Sequence, residues 1–271
     1  MPTLACTRTG SGAPLVLLHG LGSERGVWDP VIPALAEHFD VIAADLPGFG
    51  DSAPLPPGTQ PHPAALAAAV AGLLDELSVE QSPHIAGNSL GGWVALELAA
   101  IRPVASVALL SPAGLWRGRI PRYCLTSLRA SRWLCQHAAG LLNRVVSYRL
   151  GRVLVLGQTH GRPARMTAAQ ARRAIGALGS CPGFDATLAA TADGYQSGPP
   201  IGAPVTVAFG SRDLLLLRRQ SRHLGELPPG TRTGELPGCG HLPIADNPAA
   251  VTALITAAAS RTAPAAPAAR G

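Results

Sequence analysis

The pentapeptide Gly87-Asn88-Ser89-Leu90-Gly91 sets a serine between two glycines, directly after the apolar run His84-Ile85-Ala86 and directly before a helix-like run from Gly92 to Ala100. A serine so placed sits on a sharp strand-to-helix turn. A Cβ at either flank would strike the neighbouring strand or helix, and the hydroxyl is left exposed at a helix N-terminus. A hydroxyl is a weak nucleophile until an imidazole takes its proton and a carboxylate fixes that imidazole's tautomer. On this kind of turn the acid follows the serine in the chain and the histidine follows the acid. Asp213 stands just past the run Val205-Thr206-Val207-Ala208-Phe209 and its Gly210 turn, a position that Asp185, Asp193, Glu226, Glu235 and Asp246 do not share. Asp246 instead reads as a cap for the helix-like run Ala249 to Ser260, because Asn247 and Pro248 are helix-start residues. Of eight histidines only His223 and His241 lie beyond Asp213. His223 falls in an arginine-rich, helix-like stretch, whereas His241 ends the turn Gly238-Cys239-Gly240, so His241 is the candidate base.

An attacked carbonyl also needs two backbone donors for its developing oxyanion, and losing one typically costs about two to three orders of magnitude in rate. The residue after the nucleophile, Leu90, supplies one N–H. The second is expected from Leu21, since Pro14 to Leu18 reads as a strand that ends in the turn His19-Gly20-Leu21-Gly22. His19, Gly20, Gly87 and Gly91 are then the residues that support the two turns.

These groups need a scaffold that ends several strands at one edge. Apolar, β-branched runs alternate with helical runs over Trp28 to Phe39, Pro63 to Leu77 and Gly91 to Ile101, the pattern of a mostly parallel sheet flanked by helices. A chain of 271 residues can bury one large core with an insertion. Gly48-Phe49-Gly50-Asp51-Ser52-Ala53 imitates a dinucleotide-binding turn, but the following Pro54-Leu55-Pro56-Pro57-Gly58 cannot form the helix that must meet the pyrophosphate. Asp51 and Ser52 are expected to cap that turn locally. The chain contains no lysine, which excludes a phosphate-loop lysine and a Schiff-base lysine.

In order along the chain, His19-Gly20-Leu21-Gly22, Trp28-Asp29-Pro30, Asp45-Leu46-Pro47-Gly48-Phe49-Gly50-Asp51-Ser52, Gly87-Asn88-Ser89-Leu90-Gly91-Gly92, Phe209-Gly210-Ser211-Arg212-Asp213 and Gly238-Cys239-Gly240-His241 resemble the motifs of the α/β-hydrolase fold family with a His-Gly oxyanion turn. The resemblance covers about residues 10 to 260 and leaves about 115 to 198 unmatched. It implies an α/β-hydrolase core over 1–114 and 199–261 and an inserted helical cap over 115–198 that selects the acyl group. A serine at position 89 implies acyl transfer, where an aspartate would imply epoxide or haloalkane hydrolysis. The expected activity is hydrolysis of an ester or thioester with an apolar acyl part, with no cofactor and no metal. Close alternatives are a carrier-protein or coenzyme A thioesterase, an acyltransferase and a carbon–carbon bond hydrolase. Leu242 stands where that last subgroup has an aromatic after the histidine. An idle triad on a receptor or cyclase scaffold is a third class, which the competent residues at all three positions argue against.

Residues 115–198 carry twelve arginines against two acids, Asp185 and Asp193, a formal charge of +10, while the remainder carries −4. Absence of lysine accounts for the choice of cation but not for the missing acids. The basic segment is expected to meet a small-molecule acyl substrate that is anionic or bound to an acidic carrier protein. Nucleic acid is not expected, because no helix-turn-helix or aromatic-basic platform accompanies the charge; peripheral contact with an anionic membrane is a further option. Leu125 to Leu128, Trp133-Leu134, Leu141-Leu142 and Val145-Val146 are spaced for helices with an apolar interior. Cys6, Cys124, Cys135, Cys181 and Cys239 are scattered, with no ligand spacing, and are expected as reduced thiols, Cys239 as a packing residue. Met1 to Cys6 lacks a charged start and an apolar core, so a cytoplasmic location is expected. The Ala- and Pro-rich tail 262–271 is expected to be disordered.

Overall fold

The computed structural model describes residues 4–261, and the tail 262–271 lies outside them. Seven strands form one sheet: β1 (Cys6–Thr9), β2 (Ala13–Leu18), β3 (Phe39–Ala44), β4 (His84–Asn88), β5 (Ser106–Leu110), β6 (Val205–Gly210) and β7 (Arg232–Leu236). Their order is β1-β3-β2-β4-β5-β6-β7. Only the edge strand β1 runs antiparallel to its neighbour; every other pair is parallel. The helices are α1 (Ile32–Leu35), α2 (Pro63–Glu76), α3 (Leu90–Ile101), α4 (Arg122–His137), α5 (Ala139–Val145), α6 (Arg149–Leu156), α7 (Ala168–Ser180), α8 (Phe184–Ala190), α9 (Arg218–Ser221), α10 (Pro243–Asp246) and α11 (Pro248–Ala259).

Parallel strands need crossovers, and the crossovers cover both faces, so alternate residues of one strand enter different cores. Val16 and Leu18 of β2 pack with Leu66, Val70 and Val94 of α2 and α3. Leu15 and Leu17 face the other way, toward Leu35, Val251 and Ile255 of α1 and α11. Each such side chain contributes about 1.5–3 kcal/mol by leaving water. The inner strands β2, β3, β5 and β6 therefore read as largely apolar runs that stop where the chain leaves the sheet, whereas the edge strand β7 is polar and exposed; β2, β4 and β6 stop next to the candidate residues.

The expected helix over Trp28 to Phe39 is replaced by a 3-10 turn over Arg25–Trp28 and the single turn α1. Pro30 and Pro33 have no N–H to continue a ladder, and Phe39 and Val41 are drawn into β3 by burial. His223 lies just outside α9, between that short helix and a 3-10 turn at Leu224–Glu226. Five helices, α4 to α8, occupy the insert between β5 and β6. A separate small core of Cys135, Val146, Leu156, Met166, Ala171 and Ile175 holds four of them together. A capping box on α7, in which Thr167 and Gln170 satisfy each other's backbone N–H, starts the fourth. All five cysteines are free thiols.

Candidate active site

β4 delivers Ser89 to the N-terminus of α3 in a backbone conformation of φ 54° and ψ −117°. A non-glycine residue held there costs about 1–3 kcal/mol and persists only because the surroundings enforce it. The two flanking glycines permit the close packing around it. A Cβ on Gly87 would lie 2.1 Å from the Gly91 carbonyl oxygen, and one on Gly91 would lie 2.2 Å from that of Leu18. The Ser89 N–H donates to Leu110 O at 3.0 Å, and the Ser89 carbonyl accepts from Gly92 and Ala113 at 3.0 and 2.9 Å. The turn is thus tied to β5 on one side and to α3 on the other.

β6 ends at Gly210, and Asp213 lies three residues on, buried at 6 % exposure. Its Oδ2 lies 2.9 Å from Nδ1 of His241. Its Oδ1 accepts the N–H groups of Leu215 and Leu216 at 3.0 and 2.8 Å. Burial pushes the Asp213 carboxyl up, but the His241 charge and hydrogen bond and the two amide donors together outweigh burial and hold it below the usual carboxylate value. Asp213 is therefore ionised and fixes which imidazole nitrogen of His241 faces it. The His241 loop is itself held by Asn88, whose Nδ2 donates to His241 O at 3.0 Å and to Leu110 O at 2.9 Å. In the sequence Asn88 is simply part of the elbow. Its role as a strut between serine turn and histidine loop carries no signal in the sequence, because the loop lies 153 residues away.

The turn after β2 runs beside the serine: a Cβ on Gly20 would lie 3.1 Å from Ser89 Cβ. His19 sets this turn, with Nδ1 2.8 Å from Gly20 O and Nε2 accepting from Leu46 N–H at 3.0 Å. Complete burial lowers the His19 pKa and keeps the ring neutral. Leu90 is the first residue of α3, so its N–H has no acceptor within the helix. Leu21, Leu90, Ser89 and His241 all line one cavity of about 770 Å³. Of the two residues after Gly50, Ser52 bonds locally to Asp45 O at 2.8 Å. Asp51 does not cap the turn: its carboxylate pairs with Arg25 at 2.7 Å, because Arg25 also grips buried Asp45 and brings a charge within reach.

The roof of the cavity comes from the insert, through Ile120, Leu128, Leu142, Leu156, Ile175 and Leu188. The apolar interior expected of this segment is present, but Trp133 and Leu141 point to solvent at 58 % and 64 % exposure. Polar residues of the insert line the cavity too, among them Gln158, Thr159 and His160. His160 is buried and lines the cavity with His241; burial lowers its pKa, so it too is neutral. Asp246 places it. Asp246 does not cap α11; that cap is Asn247, whose Oδ1 accepts from Ala250 N–H at 3.2 Å. The buried Asp246 carboxylate accepts the N–H groups of Gly161, Arg162 and Gly240 at 2.7, 2.8 and 2.7 Å. With Leu242 N–H donating to Thr159 O at 2.9 Å, this clasp joins the insert to the His241 loop.

Comparison with known proteins identifies the family and the fold. A model of the alpha/beta hydrolase family matches residues 15–254. The chain is 30% identical to the pimeloyl-(acyl-carrier protein) methyl ester esterase of Aeromonas hydrophila over 91% of this chain and 95% of that protein. It is 44% identical to the dihydrolipoyllysine-residue acetyltransferase component of the acetoin cleaving system of Cupriavidus necator, over 40% of this chain and 29% of that longer protein. Its fold superposes on the enol-lactonase of Burkholderia xenovorans with a TM-score of 0.66 at 24% identity, covering 95% of this chain and 96% of the other. The protein belongs to the alpha/beta hydrolase family and has that family's fold.

Proposed function

We propose that this protein is a serine hydrolase that cleaves an ester or thioester with a substantial apolar acyl group. The observation that carries the reading is one cavity in which Ser89 and the His241–Asp213 pair meet an apolar roof. Ser89 Oγ attacks the acyl carbon while His241 Nε2 takes its proton. The carbonyl electron pair moves onto oxygen, where the N–H groups of Leu21 and Leu90 receive it. The tetrahedral adduct collapses with loss of the alcohol or thiol, which leaves with the proton from His241, and the acyl group stays on Ser89. Water then attacks the acyl-enzyme, His241 takes and returns the second proton, and the acid departs. Asp213 stays ionised throughout and stabilises the imidazolium.

The roof favours the acyl side for recognition, because each buried methylene adds about 0.8 kcal/mol of binding. A p-nitrophenyl ester series tests this. Activity rises from acetyl toward medium-length acyl groups, and Ser89→Ala lowers kcat/KM by at least about four orders of magnitude. A Ser89→Ala protein that hydrolyses the series at the parent rate would refute the proposal.

A further inference from the structure

No acid occurs between Glu97 and Asp185, yet ten large apolar side chains stand exposed on the described surface and seven of them fall between Trp133 and Leu154. Leu154 is 82 %, Leu150 78 % and Tyr148 74 % exposed. On a free surface this is an unfavourable arrangement that usually marks a contact. The cations are interleaved with the apolar residues at helical spacing. Arg122, Arg129 and Trp133 follow one stripe of α4, Arg144 lies one turn after Leu141, and Arg149 lies one turn before Val153. All four arginines are exposed, and none pairs with a carboxylate among the described residues. The ridge also borders the cavity: Leu134 and Leu154 are exposed and line the space above Ser89.

We propose that this ridge docks on an anionic lipid bilayer, with its leucines and aromatics entering the headgroup boundary and its arginines meeting lipid phosphates. Charge selects this occupant. A second copy of the ridge would bring cation against cation with no acid to pair. An acidic protein would match the arginines but would leave two leucines about four-fifths exposed unless it also carried an apolar groove. A bilayer supplies both layers in the right order, apolar below and anionic above. The cavity then opens toward the membrane, and an acyl chain enters past Leu134 and Leu154. The surface stands independently of the chemistry assigned to Ser89.

Co-sedimentation with vesicles of phosphatidylcholine alone, and of an equal mixture with phosphatidylglycerol, tests the proposal. The parent protein pellets with the mixed vesicles and not with the neutral ones. The combined Arg129→Glu, Arg144→Glu and Arg149→Glu variant binds at least about fivefold more weakly for each arginine lost, and Leu150→Glu is weakened as well. None of these side chains lines the cavity, so hydrolysis of a short soluble ester stays at the parent rate and reports an intact fold. Failure of the parent to pellet with mixed vesicles overturns the proposal. Binding that Leu150→Glu leaves unchanged also overturns it, since the attraction is then charge alone. So does retention on an acidic acyl carrier protein without vesicle binding. Loss of esterase activity with intact vesicle binding would count against the proposed chemistry only.

Discussion

Replacing Asp246 with asparagine removes one oxygen and the negative charge from a buried carboxylate that accepts three backbone N–H groups. The asparagine keeps a single acceptor oxygen. If that oxygen takes the place of Oδ2, it still serves Gly161 and Gly240, but the new NH2 points at the N–H of Arg162, donor against donor. One charge-assisted hydrogen bond is lost, the other two weaken, and one buried amide is left without a partner at a cost of about 1–3 kcal/mol. The sum is a destabilisation of about 2–4 kcal/mol, or roughly 5–15 °C in Tm for a chain of this size. Because Gly240 N–H is one of the three, the His241 loop loses its tie to the insert, and kcat falls by about 10- to 100-fold through misplacement of the base. Urea unfolding followed by circular dichroism, together with ester hydrolysis, measures both effects. A variant within about 0.5 kcal/mol of the parent with unchanged kcat would show that Asp246 does not clasp insert to loop, and the placement of His160 and His241 would need another cause.

Asp213→Asn keeps its oxygen on the N–H groups of Leu215 and Leu216, which preserves the fold in thermal melts, and presents its NH2 to His241 Nδ1; this disfavours the tautomer that leaves Nε2 free and lowers kcat by about four orders of magnitude. Gly91→Ala drives a Cβ to within 2.2 Å of the Leu18 oxygen; since backbone must move, differential scanning calorimetry shows a loss of about 3 kcal/mol or more. His19 and His160 have pKa values lowered by burial, so below the ordinary histidine value near 6.5 the unfolded chain binds protons that the folded chain refuses. Stability therefore falls as the pH drops through that value, and His160→Gln makes urea midpoints between pH 7.5 and 5.5 less steep. For Asp213 the sign is the same and the window lies lower on the pH scale. Its depressed carboxyl contributes stability above about pH 4 that disappears only at lower pH. Leu128→Trp fills part of the cavity roof and slows medium-chain esters by about tenfold or more, while acetyl esters are hydrolysed at the parent rate.

Ser89, Asp213 and His241 were legible because each stands just past an apolar run or glycine turn, and a parallel sheet brings the ends of its strands to one edge. The same logic placed Leu21 and Leu90 on the cavity wall. Reading by neighbours failed where the partner is distant. Asn247 and Pro248 make Asp246 look like a helix cap, yet the N–H groups that its carboxylate accepts include those of Gly161 and Arg162, far away in the chain. His160 has no local pattern that marks it, since its place on the cavity wall depends on how the insert folds over Ser89. The helix expected from Trp28 to Phe39 failed for a local reason that was visible, the two prolines within it. The apolar spacing in the insert located its helices but not which apolar residues face outward; Trp133 and Leu141 could be assigned only once α4 and α5 were packed.

The account rests on an activated hydroxyl at position 89, and a fluorophosphonate probe measures that directly. Intact and peptide mass spectra of the treated parent protein are expected to show one phosphonyl adduct, on Ser89, absent from Ser89→Ala and strongly slowed in Asp213→Asn. An adduct that persists in Ser89→Ala, or a parent protein that hydrolyses esters while Ser89 stays unlabelled, would contradict it.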